Sequence, residues 1–429
     1  MPTWFGQPRG LTILFLTEMW EKFSYFGMRT LLVYYMVKQL QFDQGYASMV
    51  YGTYSALVYF TPIVGAYISD RWLGKRRAIV IGSVTMAVGH FLMAYPPAFY
   101  LAMATIAVGN GFFLPNLPSQ VGQLYGKEDP RRQSAYSIYY LGVNVGAFFS
   151  PLVCGTLGEL YGWHYGFGAA GVGMCVGLGI YLAGTRYLPR DTRVESSAPS
   201  LSEPQRGGVP YALLFATALA VIVFRSAYEQ SGNAMALWID TGVDRSAGGR
   251  VIPATWFQSL NPLFVFVLTP LIVAFWNRER TPRAYRPGAL RRMALGAFGV
   301  ALSYAMLCGI IALSGANLVH WAVVIGFFLL YTLAEIYILP VGLSLFATLS
   351  PSRFTATTIA AWFLASFAGN LLAGYVGTWW SVLSPAAFFA ATGAIAAVSG
   401  SALAGLGVMQ QRAAIAARAT SASHASSLP

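Results

Sequence analysis

The stretch TEMWEKFSYFGMR, residues 17–29, places two glutamates, a lysine and an arginine inside a run that otherwise reads as one continuous apolar helix. The surrounding chain of 429 residues is 56% hydrophobic and only 10% charged, with a mean hydropathy of +0.56. A soluble domain must keep its surface wet and does not reach that apolar fraction. A bilayer-spanning helix needs about 20 apolar residues, and runs of that length recur from end to end. They lie near 11–37, 46–69, 78–95, 98–123, 134–157 and 165–185. After a break they resume near 210–238, 252–276, 292–314, 319–349, 354–379 and 385–409. The expectation is an all-α membrane protein of twelve transmembrane helices. Strands of a barrel would alternate apolar and polar residues, and that period is absent.

The 27 Lys and Arg against 15 Asp and Glu give a net charge of +12. Twelve spans place most of these cations on one side, in clusters such as Arg71–Arg77, Lys127–Arg132 and Arg278–Arg292. That asymmetry is the positive-inside pattern, so the partner is a lipid bilayer and not nucleic acid. Both termini are expected in the cytoplasm, with the protein multi-pass in the cell (inner) membrane. Cys154, Cys175 and Cys308 all fall inside spans and read as small apolar filler. The first apolar segment is charged and lacks a small-residue cleavage site, so it does not read as a signal peptide.

Residues 186–209, RYLPRDTRVESSAPSLSEPQRGGV, form the long polar interruption between spans. They separate an N-terminal six-helix bundle, 1–185, from a C-terminal one, 210–411. The tail 412–429 is polar and of low complexity, and is expected to be disordered. The two bundles echo each other. Glu21 and Glu229 differ by 208 positions, as do Thr61-Pro62 and Thr269-Pro270; Leu114-Pro115 and Leu339-Pro340 differ by 225, and Asn144 and Asn370 by 226. Two parallel six-helix repeats with a site between them at the midplane resemble the major facilitator architecture.

At 100° per residue, Glu18, Glu21, Lys22, Tyr25 and Arg29 share an arc of about 100° on one helix face. A charge within the membrane costs about 2.5–3.5 kcal/mol on insertion scales, so such charges face a cavity or one another. Arg225, Glu229 and Glu335 are also mid-span, which makes four acids against three bases. The odd acid is what a proton carrier requires, because a carboxylate in low dielectric can load and release a proton. The bland alternative is a self-neutralised structural cluster, with Glu18 and Lys22 paired at i,i+4. Tyr34, Tyr59, Tyr139, Tyr140, Asn144, Tyr228, Asn261, Trp362 and Asn370 add hydrogen-bonding groups. A cavity with separated cationic and anionic ends would suit a zwitterion such as a short peptide.

The segment EMWEKFSYFGMR, 18–29, resembles the ExxER-F-x-Y-Y signature of the proton-dependent oligopeptide transporter (POT) family. The resemblance continues in GAYISDRWLGKR, GNGFFLPN, YSIYYLGVNVGAFFSP, YEQSG, QSLNPLF, LAEIYILPVGLS and WFLASFAGNLLAG. It implies proton-coupled symport of di- and tripeptides by alternating access, driven by the proton gradient without cofactor or metal. The carrier is expected to be a monomer and not an enzyme. By the resemblance, Lys22 and Arg29 attract the peptide carboxylate, while Glu229, Asn144 and Asn261 bind its amino end. Tyr25, Tyr34, Tyr59, Tyr139 and Trp362 line the remaining walls. Glu18, Glu21, Lys22, Glu229 and Glu335 form the proton-coupling group, Glu335 also lying near substrate. Asp70 and Arg71 are expected to gate the cytoplasmic side.

Three positions depart from the family pattern. Lys22 stands for the signature arginine, Leu114 for the lysine that usually precedes Pro-Asn, and the linker is too short for inserted helices. Leu114 keeps open a member adapted to another small anion or zwitterion, such as nitrate, a peptidomimetic or a sugar conjugate. An intramembrane enzyme is the remaining rival, and its short motifs are absent. Gly166-Phe-Gly-Ala-Ala-Gly171 matches G-x-G-x-x-G but lacks a βαβ context, and the four histidines show no metal-ligand spacing.

Overall fold

The computed structural model describes residues 3–4, 6–126, 129–189, 211–278, 288–348 and 355–426. Most of the predicted linker, from residue 190, therefore lies outside the described residues. Helix α1 runs from Arg9 to Lys38 and α2 from Gln44 to Ile68. The N-cap of α2 is Asp43, whose carboxylate accepts the amides of Gly45 at 2.8 Å and Tyr46 at 3.3 Å. A wide turn over Ser69–Leu73 ends this segment, and Gly74, at φ +77°, turns the chain into α3, Lys75–Leu92. The Leu114-Pro115 step divides α4, Phe99–Phe113, from α5, Asn116–Gln123, because proline cannot donate to the helix ladder. Helix α6, Arg131–Ser150, continues through wide turns to Tyr161, and α7 spans Trp163–Gly184.

The second bundle opens with α8, Tyr211–Tyr228, a tight turn over Glu229–Gly232 and α9, Ala234–Gly242. It proceeds through α10, Leu260–Arg278, α11, Ala289–Ser314, α12, Ala322–Thr348, α13, Thr355–Thr378, and α14, Pro385–Ser426. The disordered tail expected from residue 412 needs correcting, since helical backbone continues to Ser426. The run AAIAARA supplies strong helix formers there. Among the described residues, nine segments from Pro96 onward are long and apolar enough to cross a membrane. Helices α1, α2 and α3 are not among them. Arg9, Glu18, Glu21, Lys22, Arg29 and Lys38 dilute α1, and KRR opens α3.

The helices pack where side chains are small. Glycine at 146 lets α6 lie against the backbone of Met19 in α1, and a methyl group there would collide with it. Between bundles, Gly52 of α2 faces the backbone of Gly374 in α13 so closely that any Cβ would clash. Lipid offers apolar groups no advantage in associating, so such packing contacts carry helix association in the bilayer. One apolar core holding Tyr34, Phe167, Phe224 and Phe327 runs through both bundles, and a smaller one around Leu11, Ile79, Phe113 and Tyr181 lies within the first.

The bundles are tied together at one end of the molecule. Lys38 pairs with Asp240 at 2.7 Å, and Arg245 reaches Asp240 at 3.1 Å and Glu159 at 3.9 Å. The Glu159 carboxylate also accepts the amides of Ala254 at 3.1 Å and Thr255 at 2.7 Å, capping the turn that leads into α10. At the opposite end Asp70 and Arg71 are exposed; Arg71 donates to Tyr67 Oη at 3.1 Å within its own segment. Arg76 there holds the carbonyls of Thr185, Leu188 and Pro189. Gly52→Val should overpack the α2–α13 contact and cost about 1–3 kcal/mol. The expected result is a melting temperature several degrees lower in detergent, read by a thiol-reactive dye or tryptophan emission; an unshifted melt would mean the helices can part freely.

Candidate functional site

Helix α1 divides its charges between two places. On one turn, Lys22 Nζ lies 2.7 Å from Glu21 Oε2 and 3.4 Å from Glu18 Oε1, and all three residues are buried. Tyr139 of α6 is buried beside Glu18, and the Lys22 ammonium sits 5.9 Å from the Tyr25 ring centroid. Two carboxylates share one ammonium, so the group is one proton short of neutrality. Two turns further along, Arg29 points into a different space.

That space is a cavity of about 230 Å³ between the bundles. On one wall, Arg29 Nη2 bonds Glu229 Oε2 at 2.5 Å, and Arg225 Nη1 bonds Glu229 Oε1 at 2.6 Å. Arg29 Nε also donates to Tyr51 Oη at 2.9 Å, and the Arg225 guanidinium lies 4.7 Å over the Tyr59 ring. Arg225 in the last turn of α8 and Glu229 just beyond its end are four residues apart, so the pair forms locally. Arg29 arrives from the other bundle. Also lining the cavity, Glu335 Oε2 accepts from Asn261 Nδ2 at 2.6 Å, and the same amide reaches Thr332 at 3.1 Å. Asn144, Tyr140 and Gln258 add polar groups to the lining. The cavity thus holds two guanidiniums on one carboxylate and a second carboxylate bonded by an amide.

Of the residues expected from the sequence, Arg29, Tyr59, Asn144, Glu229, Asn261 and Glu335 meet in this cavity. Arg225, Tyr140 and Tyr228, also singled out from the sequence, line it as well, and the remaining substrate-site candidates lie elsewhere. Lys22 is closed in by its two glutamates, so it is not among the cavity-lining residues. Tyr25 and Tyr139 belong to the same buried neighbourhood. Tyr34 donates to the Ala236 carbonyl at 2.9 Å, stitching α1 to α9, and Trp362 packs edge-on against Phe346 at 5.4 Å between α13 and α12. The local bond between Arg225 and Glu229 does not exclude Arg29, because Glu229 has two oxygens and accepts from both. Sequence reasoning missed Tyr51 and Gln258. Tyr51 carried no signal, because a mid-span tyrosine is more often packing than lining.

The POT family model matches residues 76–201 and 211–393, so it covers both bundles but begins after the charged face of α1. An uncharacterized transporter of Bacillus subtilis strain 168, YclF, is 32% identical, the match covering 92% of this chain and 93% of the relative. A di-/tripeptide transporter of Lactococcus lactis subsp. lactis strain IL1403 is 31% identical over 93% of this chain and 95% of its own. Among solved structures, a peptide transporter POT in complex with sulfate superimposes with a TM-score of 0.85 at 29% identity, covering 94% of this chain and 95% of that one. A mutant peptide transporter POT with alafosfalin gives 0.85 at 30% identity, over 96% of both chains.

The three-way bond at Glu229 sets a testable order of stabilities. Glu229→Gln leaves two partly buried guanidiniums without a counter-charge, a loss of about 3 kcal/mol. Arg225→Gln leaves Arg29 and Glu229 paired and should cost less. Melting curves of the two purified variants should therefore fall in that order below the parent; a Glu229→Gln protein as stable as the parent would mean that water in the cavity already screens the cluster.

Proposed function

This chain belongs to the POT family, and on that premise we propose that it is a proton-coupled symporter of di- and tripeptides working by alternating access. The observation that carries the reading is the charge-separated cavity between the bundles. Arg29, beside Arg225 and Glu229, shares it with Glu335 and Asn261. A short peptide carries a carboxylate at one end and an ammonium at the other, and the cavity holds a group of opposite sign for each. A relative named a di-/tripeptide transporter and a peptide transporter solved with alafosfalin accord with this, and the family is one of carriers and not of enzymes.

The twelve-span topology, with α1, α2 and α3 counted as spans, belongs to the same reading. Helix α1 crosses the bilayer despite its charges because they face one another and the cavity instead of lipid. Both termini then lie in the cytoplasm of a cell whose inner membrane holds the carrier as a monomer, with the boundaries 1–185, 186–209 and 210–411. The tied end around Lys38 and Asp240 is the outer one, and the cavity opens toward the cytoplasm. Asp70 and Arg71, exposed in this state, act as a gate when that side closes.

Arg29 takes the peptide carboxylate, and Glu335 with Asn261 and Asn144 takes the ammonium. Glu18, Glu21 and Lys22, one proton short of neutrality, carry the coupling proton, with Glu229 and Glu335 responding to it. No cofactor or metal enters this scheme; the proton gradient supplies the work.

Reconstituted in liposomes, the protein should accumulate labelled dialanine when the lumen is more alkaline, and lose that accumulation on collapse of the gradient. Glu21→Gln should lose gradient-driven uptake by at least about tenfold while keeping peptide counterflow, which needs no net proton movement; equal loss of both would make the triad structural. Glu335→Gln should weaken binding of dialanine and move the pH optimum of uptake. An unchanged optimum would remove Glu335 from both roles.

A further inference from the structure

Among the described residues lining the cavity, four carry charge: Arg29, Arg225, Glu229 and Glu335. Both oxygens of Glu229 are engaged, one by each guanidinium. Glu335 is bonded to a neutral amide, so it is the lining carboxylate not already held by a guanidinium. The ends of a peptide are matched by Arg29 and Glu335 alone. Arg225 is a further fixed cation that this scheme does not use.

Its setting is built. The guanidinium lies over Tyr59 at 4.7 Å and within 5.9 Å of the Tyr228 centroid. Glycine at 369 allows α13 to close behind it, since any side chain there would collide with the Arg225 Cβ. Its Nε is buried without an acceptor, and its bond to Ser366 Oγ is long, at 3.3 Å. The cluster therefore has more donors than acceptors. Arginine does not relieve such an excess by losing a proton.

On the peptide-carrier reading above, we infer that Arg225 is a specificity-determining residue that turns the cavity against peptides with basic side chains and toward acidic ones. A peptide ammonium occupies Glu335. A second cation, the side chain of a lysine, then finds Glu229 blocked by two guanidiniums and a fixed positive charge close by. Like charges at such distances in a partly dry cavity repel strongly. A side-chain carboxylate meets the opposite: a fixed guanidinium charge of the sign that attracts it. Selection of this kind works chiefly by penalising the wrong partner.

The test is competition. Uptake of labelled dialanine into liposomes holding the full-length protein is measured against unlabelled Ala-Glu, Ala-Gln and Ala-Lys, the glutamine peptide being the neutral near-isostere of the glutamate one. Ala-Lys should need at least about tenfold more peptide than Ala-Gln for half-inhibition, a ratio worth about 1.4 kcal/mol. Ala-Glu should compete at or below the Ala-Gln concentration. In Arg225→Gln the Ala-Lys to Ala-Gln ratio should fall toward one, while Arg225→Lys, which keeps the charge, should keep the order. Arg225→Met serves the same purpose if the glutamine variant does not insert. Equal competition by Ala-Lys and Ala-Gln in the parent would overturn the inference and leave the carrier reading intact, as would a common shift of all three peptides in Arg225→Gln. Absence of dialanine uptake in the parent would overturn the carrier reading and this inference with it.

Discussion

The carboxylate of Glu229 is shared by two guanidiniums, one on its own helix and one from the opposite bundle, and the cavity is arranged around that sharing. A charge in low dielectric must be paired or pay several kilocalories per mole. Arg225 and Glu229 satisfy this within a single helical turn, while Arg29 and Glu229 satisfy it across the interface. If the bundles part, Glu229 keeps Arg225, so opening does not strand a buried anion. Arg29 in turn keeps its bond to Tyr51. The cross-bundle tie is thus one that can break without leaving a bare charge on either side.

A second charged group, Glu18 with Glu21 and Lys22, is set apart from the first on the same helix. The cavity does not include it, and its imbalance is internal. Two electrostatic units on one helix face therefore do different physical work: one presents charge to a space, the other hides it. Glu335 belongs to neither pairing and is bonded by Asn261. Its partner is a neutral amide, so no guanidinium is committed to it.

These units are held by contacts without charge. Glycines at 52, 146 and 374 bring helix backbones together where no larger residue fits, and in lipid that close packing takes the part that apolar burial plays in water. The prolines have unequal effects. Pro115 separates α4 from α5, whereas Pro340, its counterpart in the second bundle, lies inside the continuous helix α12. A proline marks where a helix can bend; its neighbours decide whether it does.

Much of this was legible in the chain itself. Apolar run length located most of the helices, because a bilayer fixes how long such a run must be. It did not foresee the breaks at Pro115 and after Tyr228 or the length of α14. The echo between Glu21 and Glu229 pointed to a repeat, and the cost of charge in lipid marked the residues of interest. Much of the polar lining was therefore visible: Arg29, Tyr59, Tyr140, Asn144, Arg225, Tyr228, Glu229, Asn261 and Glu335. Periodicity could not say that Lys22 would be enclosed by its neighbours while Arg29, two turns on, faced open space. It placed both on one face, and which part of that face meets a cavity depends on helices packed from elsewhere in the chain. Nor could it decide that Glu229 would accept Arg29 as well as Arg225, since that second bond joins residues 200 positions apart. Local spacing fixes what lies along a helix; only the packing of two bundles fixes what lies across from it.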